Sequence, residues 1–361
     1  MHRLVPPAVL FAIAAALLAV GSAPAAPPGG SYTVTPLVTN ASDAHLVNAW
    51  GLTSGPTTPW WVSDNGTDLS TLYSGTGSKI GLEVSVPGAP TGAVFNGSSS
   101  FVVHNGTASG AALFLFDTEG GQVFGWNSAV PPPAPSHAAQ LGADRTDVGA
   151  VYKGLAIAQT SDGPHLYATD FHNGRVDVFN GSFGLVNTPG AFVDPSLPSD
   201  YAPFGIQAIG SRIFVTYAKT QAGSNDEAHG QGLGFVDAYD VNGNLLARVA
   251  QHGQLNAPWG LAWAPASFGR FGGDLLVGNF GDGQINAYAE LPNGQFEHRG
   301  TLRSTDGGKL SIDGLWALQF GNDHAAGPSS TLFFTAGTSG ESAGLFGSLT
   351  FSGQDTHQHD D

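Results

Sequence analysis

Acidic and amide side chains recur in short turns along this chain, and their types suit oxygen chemistry. Six turns that each follow a short apolar run carry an acid: Asp64, Asp117 with Glu119, Asp170, Asp226 with Glu227, Asp282 and Glu341. Carboxylate and amide oxygens gathered on a rigid frame suit a hard cation, Ca²⁺ first and Mg²⁺ second. Asp64, Asp170, Asn279 and Asp282 are the candidate metal ligands. Asp170, His172 and Lys153 are the candidate acid/base groups. Trp50, Phe204, Trp259, Tyr217 and Asn65 are candidate ligand contacts, with aromatic faces for a sugar ring or aromatic group. The same residues have a plainer use. Asp and Asn favour turns because their side chains bond local backbone groups, and large aromatics fill cores.

Several chemistries are excluded outright. The 361 residues include no cysteine, so thiolate catalysis, disulfides and Cys-ligated metal sites are absent. No GxSxG elbow, Walker loop, HExxH or EF-hand pattern occurs. Lys and Arg number 12 against 28 Asp and Glu, for a net charge of −16. That balance argues against nucleic acid and anionic membranes as partners.

The elements that must position these residues are strands. No stretch keeps a helical period, whereas β-branched and aromatic runs alternate with Gly, Asn and Asp turns. One pattern repeats: a turn residue, a glycine, then an apolar strand. It reads Asn48-Ala-Trp-Gly-Leu-Thr53, Pro90-Thr-Gly-Ala-Val-Phe95, Tyr152-Lys-Gly-Leu-Ala-Ile157, Ala202-Pro-Phe-Gly-Ile-Gln207, Ala257-Pro-Trp-Gly-Leu-Ala262 and Ile312-Asp-Gly-Leu-Trp-Ala317. The repeat glycines are therefore 51, 92, 154, 205, 260 and 314. Four-stranded units at this spacing are propeller blades. The expected fold is all-β, a six-bladed β-propeller over residues 27–352. The sixth unit lacks an outer strand, and Ser31-Tyr-Thr-Val-Thr-Pro-Leu-Val38 is placed to supply it and close the ring. A β-sandwich, or a seven-bladed ring using the extra run Ser100-Phe-Val-Val-His104, are the alternatives.

Residues 1–26 read as a secretory signal: basic His2 and Arg3, an apolar run from Ala8 to Val20, and small residues at Ala23-Pro24-Ala25. The run is shorter than the roughly 20 residues a membrane span needs. Residues 353–361 read as a disordered tail. The expected product is secreted, monomeric, and not membrane-inserted after cleavage.

Two runs, Leu166 to Phe179 and Leu275 to Tyr288, resemble the blades of NHL-type propellers. Further segments resemble an uncharacterised family of secreted bacterial propellers, some of whose members end in a PEP-CTERM sorting tail. They include Trp60-Trp-Val-Ser-Asp-Asn-Gly66, Tyr201-Ala-Pro-Phe-Gly-Ile-Gln207 and Leu276-Val-Gly-Asn-Phe-Gly-Asp-Gly283. The resemblance implies the fold and export but no activity, and nothing like the sorting tail follows Phe351.

In a propeller, the start of each innermost strand and the turn after each second strand share one face. The candidates above would converge there, around a mouth. The segment Lys219 to Gly232 is polar and glycine-rich, a lid or a plain loop. Three functions fit. The first is a binding protein that holds a small molecule, glycan or extracellular protein at the mouth, with a cation such as Ca²⁺ alongside. The second is a metal-assisted hydrolase or lyase. The third is a structural protein with a plugged centre. Trp50, Trp259 and Trp316 packed across the axis would favour the third.

Overall fold

Short strands joined by tight turns pair first with their neighbours in sequence, and here that gives six antiparallel sheets. The computed structural model describes residues 30–353. The expected signal over 1–26 and the tail from Gln354 onward lie outside the described residues.

Blade 1 is built from Ala49–Thr53, Trp60–Asp64, Leu69–Tyr73 and Lys79–Ser85. Blade 2 comprises Pro90–Phe95, Phe114–Thr118, Gln122–Trp126 and Gln140–Asp144. Blade 3 runs Tyr152–Thr160, Gly163–Asp170, Arg175–Phe179 and Leu185–Val186. Blade 4 has Tyr201–Ile209, Arg212–Thr220, Phe235–Asp240 and Leu245–Gln251. Blade 5 has Pro258–Trp263, Leu275–Asn279, Ile285–Glu290 and Phe296–Thr301. In blade 6, Leu315–Phe320, Leu332–Ala336 and Leu345–Phe351 are followed outward by the N-terminal strand Ser31–Thr39. Each innermost strand lies against the next, and the sixth returns to the first. The fold is a six-bladed β-propeller. The extra run near Ser100 does not open a seventh blade. Val102–Asn105 pairs with Ala108–Ala111 in a separate hairpin.

The repeat glycines explain how the blades meet. In every innermost strand the pairing register shifts at the same place, for instance between Ala49 and Leu52 and between Pro203 and Ile206. A Cβ on Gly205 would lie 2.2 Å from the Trp259 carbonyl of blade 5, and one on Gly260 would lie 2.4 Å from the Trp316 carbonyl of blade 6. Only a residue without a side chain allows that approach. Hydroxyls on neighbouring strands join the blades there. Thr91 Oγ1 donates to the Tyr152 carbonyl at 3.0 Å, and Thr169 Oγ1 to the Phe204 carbonyl at 2.6 Å. Thr335 Oγ1 donates to the Trp50 carbonyl, joining blade 6 to blade 1.

The sixth copy needs a correction in register. Leu315 pairs with Ala336 as Ala49 pairs with Asp64, so Ala317, not Gly314, stands where Gly51 stands. Gly314 instead makes the turn before the strand, with φ of 64°. There a Cβ would sit 2.0 Å from the Gly337 carbonyl.

Ring closure rests on the N-terminal strand. It runs antiparallel to the last strand from Tyr32 opposite Phe351 to Thr39 opposite Leu345. Tyr32 is fully buried. Its ring packs among Phe268, Phe271 and Phe351, and its hydroxyl donates to the Phe268 carbonyl at 3.0 Å. This anchor therefore ties blade 6 to blade 5 as well as completing its own sheet. Tyr32→Ala is expected to lower the unfolding free energy by about 3–5 kcal/mol. Tyr32→Phe, which keeps the ring, should cost about 1 kcal/mol. Urea unfolding measures both, and equally small losses would show that the ring is held shut elsewhere.

Candidate functional site

Six innermost strands each send one residue to the axis, from the position before the repeat glycine or its alanine counterpart. These are Trp50, Thr91, Lys153, Phe204, Trp259 and Trp316. The aromatic members close the centre. Trp50 stacks on Trp316 with centroids 3.6 Å apart, and Trp259 stands edge-on to both at 6.2 and 5.7 Å. Phe280 stacks on Trp316 at 4.0 Å, and Phe204 meets it edge-on at 5.8 Å. Beneath this plug the axis keeps only a cavity of about 20 Å³.

A polar network lies over the plug on the face where the innermost strands begin. Trp316 Nε1 donates to Asn48 Oδ1 at 3.1 Å. The Asn48 amide donates to Asn65 Oδ1 at 3.1 Å and to Glu341 Oε2 at 2.7 Å. From Asn65 the chain continues to Glu119 Oε2 at 3.0 Å. Lys153 Nζ donates to Glu119 Oε1 at 2.6 Å. Asn48 holds a left-handed φ of 48°, which asparagine tolerates better than most residues. Gly337 makes room for it, since a Cβ there would lie 2.1 Å from Asn48 Oδ1.

Three glutamates define the charge of this mouth. Glu119, Glu227 and Glu341 come from the turns after the second strands of blades 2, 4 and 6, so they alternate around the ring. Lys153 is buried, with its ammonium 5.2 Å from the Trp50 ring centroid and 5.9 Å from that of Phe171. Burial raises the Glu341 carboxyl above its ordinary range, and the charges of Glu227 and Glu119 add to the rise. The bond from Asn48 and the Lys153 charge oppose it. His229 Nε2 lies 3.2 Å from Glu227 Oε1, and that bond raises the imidazole above its usual value. The His229 ring stands edge-on to Phe280 at 5.0 Å.

The expected catalytic group is not assembled. Lys153 is at the mouth, bound to Glu119. Asp170 faces its own turn, accepting from the Val151 and Asn173 backbone amides, both at 3.2 Å. His172 points away to Asn225 of blade 4, with Nδ1 2.8 Å from Oδ1. The expected metal set is likewise spread over three blades. Asp64 is buried and accepts from the Thr71 backbone N–H. Asn279 donates to Asp282, which also accepts from the Gln284 N–H. Among the ligand candidates, Trp50 and Phe204 are buried floor under the network, and Trp259 donates to the Lys153 carbonyl at 2.7 Å. Asn65 belongs to the network itself. Tyr217 is elsewhere, buried within blade 4 with its hydroxyl 2.6 Å from that of Tyr239.

The acids divide by position and by length. Asp64 and Asp170 end their second strands, and Asp117 is one residue short of the end of its own, so their oxygens meet backbone amides of the same blade. Beyond the strand ends, the shorter Asp226 and Asp282 bond within their own turns. The longer Glu119 and Glu341 reach the polar network, and Glu227 meets His229. A glutamate past the strand end, not an acid anywhere in the turn, is the signal that singles them out.

Among the described residues, three carboxylate or imidazole groups do not cluster at the mouth. Among the described residues, the one group of three metal-ligating side chains with ligand atoms within 4.8 Å of one another is Asp43, His45 and Glu83. That group already holds a cation, with Lys79 Nζ 2.7 Å from Asp43 and 2.5 Å from Glu83. The long segment of blade 4 is fastened rather than loose. Glu227–Ala228 pairs with Lys219 and Thr220, and Gly230 N donates to Asn256 Oδ1 at 2.7 Å.

Two relatives match nearly the whole propeller. Uncharacterized protein R648 of Acanthamoeba polyphaga mimivirus is 31% identical over 319 residues, covering 85% of this chain and 76% of the relative. Uncharacterized protein L690 of the same virus is 32% identical over 320 residues, covering 85% and 81%. The chain belongs to their family. Both relatives are viral, where the sequence resemblance had pointed to bacterial proteins. No family model matches the chain. Among solved structures, a streptogramin B lyase superposes with a TM-score of 0.50 at 10% identity, over 90% of this chain and 98% of that one. At that identity the likeness is one of fold.

One buried acid near the plug gives a pH test. Burial lifts Asp117 from 3.8 to about 7, against the lowering bonds from Thr91 and Gly92. The native chain therefore keeps a proton that the unfolded chain loses near pH 4. Stability from this group is full below that range and is lost as pH rises toward 7. The raised Glu341 and His229 act in the same direction. Urea midpoints at mildly acidic and neutral pH are expected to fall with rising pH, and Asp117→Asn is expected to shrink that fall. An undiminished fall in the variant would show that Asp117 is ionised in the native protein throughout.

Proposed function

We propose that this protein is a binding propeller whose mouth takes a small molecule bearing a protonated amine. The observation that carries the reading is the set of three glutamates from alternate blades, balanced by one lysine, over an aromatic floor. Glu119 is matched by Lys153. Glu227 meets His229, and Glu341 accepts from Asn48 through Oε2, so Glu341 Oε1 is the oxygen left to which an amine would bring both a hydrogen bond and charge. Export is part of this reading and rests on residues 1–26, so the ligand would be met outside the cell.

A second reading, a hydrolase or lyase, has one feature in its favour. The Glu227–His229 pair sits at the mouth with a raised imidazole, an arrangement suited to moving a proton. A propeller of similar fold is a streptogramin B lyase. The metal-assisted form of this reading is the weaker one, because the clustered carboxylate and imidazole triad of the described residues, Asp43, His45 and Glu83, already meets Lys79. Turnover lost in His229→Ala while ligand binding persists would mark the enzyme.

Calorimetric titration with putrescine and lysine, each paired with a neutral analogue of similar shape, tests the binding reading. The tryptophan plug beneath the site offers a fluorescence readout in parallel. An amine is expected to bind more tightly than its neutral analogue, and Glu341→Gln to weaken it about tenfold or more, the scale of a charge-assisted hydrogen bond. Equal affinity for amine and analogue, or no change in Glu341→Gln and Glu227→Gln, would overturn it.

A further inference from the structure

A sizeable cavity lies beside the mouth, not in it. Its volume is about 720 Å³, within the range of small-molecule sites. It opens between blades 3 and 4. One wall is the turn after the second strand of blade 3, with His172 and Asn173. The other is the start of the blade 4 inner strand, with Tyr201, and the turn that carries Gln221, Ser224 and Asn225.

The chemistry of the lining contrasts with the rest of the molecule. The chain carries a net charge of −16, yet no carboxylate, ammonium or guanidinium group lines this cavity. Of the charged residues next to lining positions, Lys219 pairs with Asp200 at 3.0 Å, Arg175 lies 3.5 Å from Asp170, and Asp226 accepts from Ser224 Oγ. The lining is made of amides, hydroxyls, one imidazole and two aromatic rings, Tyr201 and Phe171. Tyr201 is half-buried and stands edge-on to Phe235 at 4.7 Å, which fixes the plane of its ring.

The walls are also built in advance. His172 Nδ1 and Asn225 Oδ1, 2.8 Å apart, link blade 3 to blade 4. The turn is braced within itself by Gln221 N to the Asp226 carbonyl at 3.0 Å and by Ser224 Oγ to Asp226 Oδ2 at 2.6 Å. A cavity that keeps its shape without ligand avoids the ordering cost of closing around one.

From this geometry we infer a second binding site, between blades 3 and 4, for a small neutral saccharide. Hydroxyls of such a ligand match amide and hydroxyl partners that both donate and accept. Its apolar ring face matches Tyr201. A charged ligand would find no counter-ion in the lining. The site is independent of the amine reading of the mouth, from which buried Phe171 separates it: that ring lies 5.9 Å from the Lys153 ammonium on one side and lines the cavity on the other.

The test is saturation-transfer NMR and calorimetry on the propeller with maltotriose, cellotriose and chitotriose, and with trigalacturonate as the charged comparison. At least one neutral trisaccharide is expected to bind, and trigalacturonate about tenfold more weakly or not at all. Tyr201→Ala is expected to weaken the neutral ligand about tenfold. Because Tyr201 packs on Phe235, two exposed-turn variants accompany it. Gln221→Ala should weaken binding, and Asn225→Asp, which sets a carboxylate in the lining, should weaken it further. Glu341→Gln at the mouth should leave it unchanged. Absence of binding by all three neutral trisaccharides would overturn the inference. So would binding that survives both turn variants, or binding lost in Glu341→Gln.

Discussion

The approach of neighbouring innermost strands to backbone contact is the constraint on which this molecule depends. At Gly51, Gly92, Gly205 and Gly260 a Cβ would fall within 2.2–2.4 Å of backbone atoms in the next blade. Glycine at five of the six positions, and the small Ala317 at the sixth, lets the sheets close around a narrow axis, and hydroxyls such as Thr169 and Thr335 turn the contact into hydrogen bonds. With no cysteine to cross-link the chain, closure relies on these contacts and on the N-terminal strand. Full ring closure also leaves no inner edge exposed.

The narrow axis decides what can sit beside it. The residue before each close contact must point inward, and four of the six are aromatic. Three tryptophans and a phenylalanine fill the centre, so the axis is a core and not a pore. Polar groups therefore gather on the face above the plug, where turns can place them without burying them unpaired. The one buried lysine survives there because Glu119 meets it and two aromatic faces lie beneath it. A plugged centre was the arrangement expected of a purely structural protein. Here the plug acts as the floor of a charged mouth.

Much of the fold was legible because it depends on local pattern. Glycine before an apolar strand, six times, marks the blades, and an orphan strand at Ser31 marks the closure. One reading slipped where the pattern was degenerate. Ile312-Asp-Gly-Leu-Trp-Ala317 holds a glycine three residues early, and only strand pairing shows that Ala317 occupies the contact. The site was less legible. Acids in all six turns looked alike, although Asp64 and Asp170 bind their own backbone while Glu119 and Glu341 reach the axis. Asn48 and His229 were visible near the mouth, but nothing in their spacing showed that one bridges blades 1 and 6 and the other meets Glu227.

The sequence by itself determined the repeat, the blade number, the identity of the closing strand and the exclusion of thiol and disulfide chemistry. Those follow from periodicity and composition, which act between near neighbours in the chain. Tertiary structure alone decided which acids face the axis, that three of them alternate around it, and that a neutral cavity opens between blades 3 and 4. Such partners are brought together by ring closure from positions as far apart as Asn48 and Glu341. A side chain's direction there depends on a register shift of one residue, which no linear spacing records.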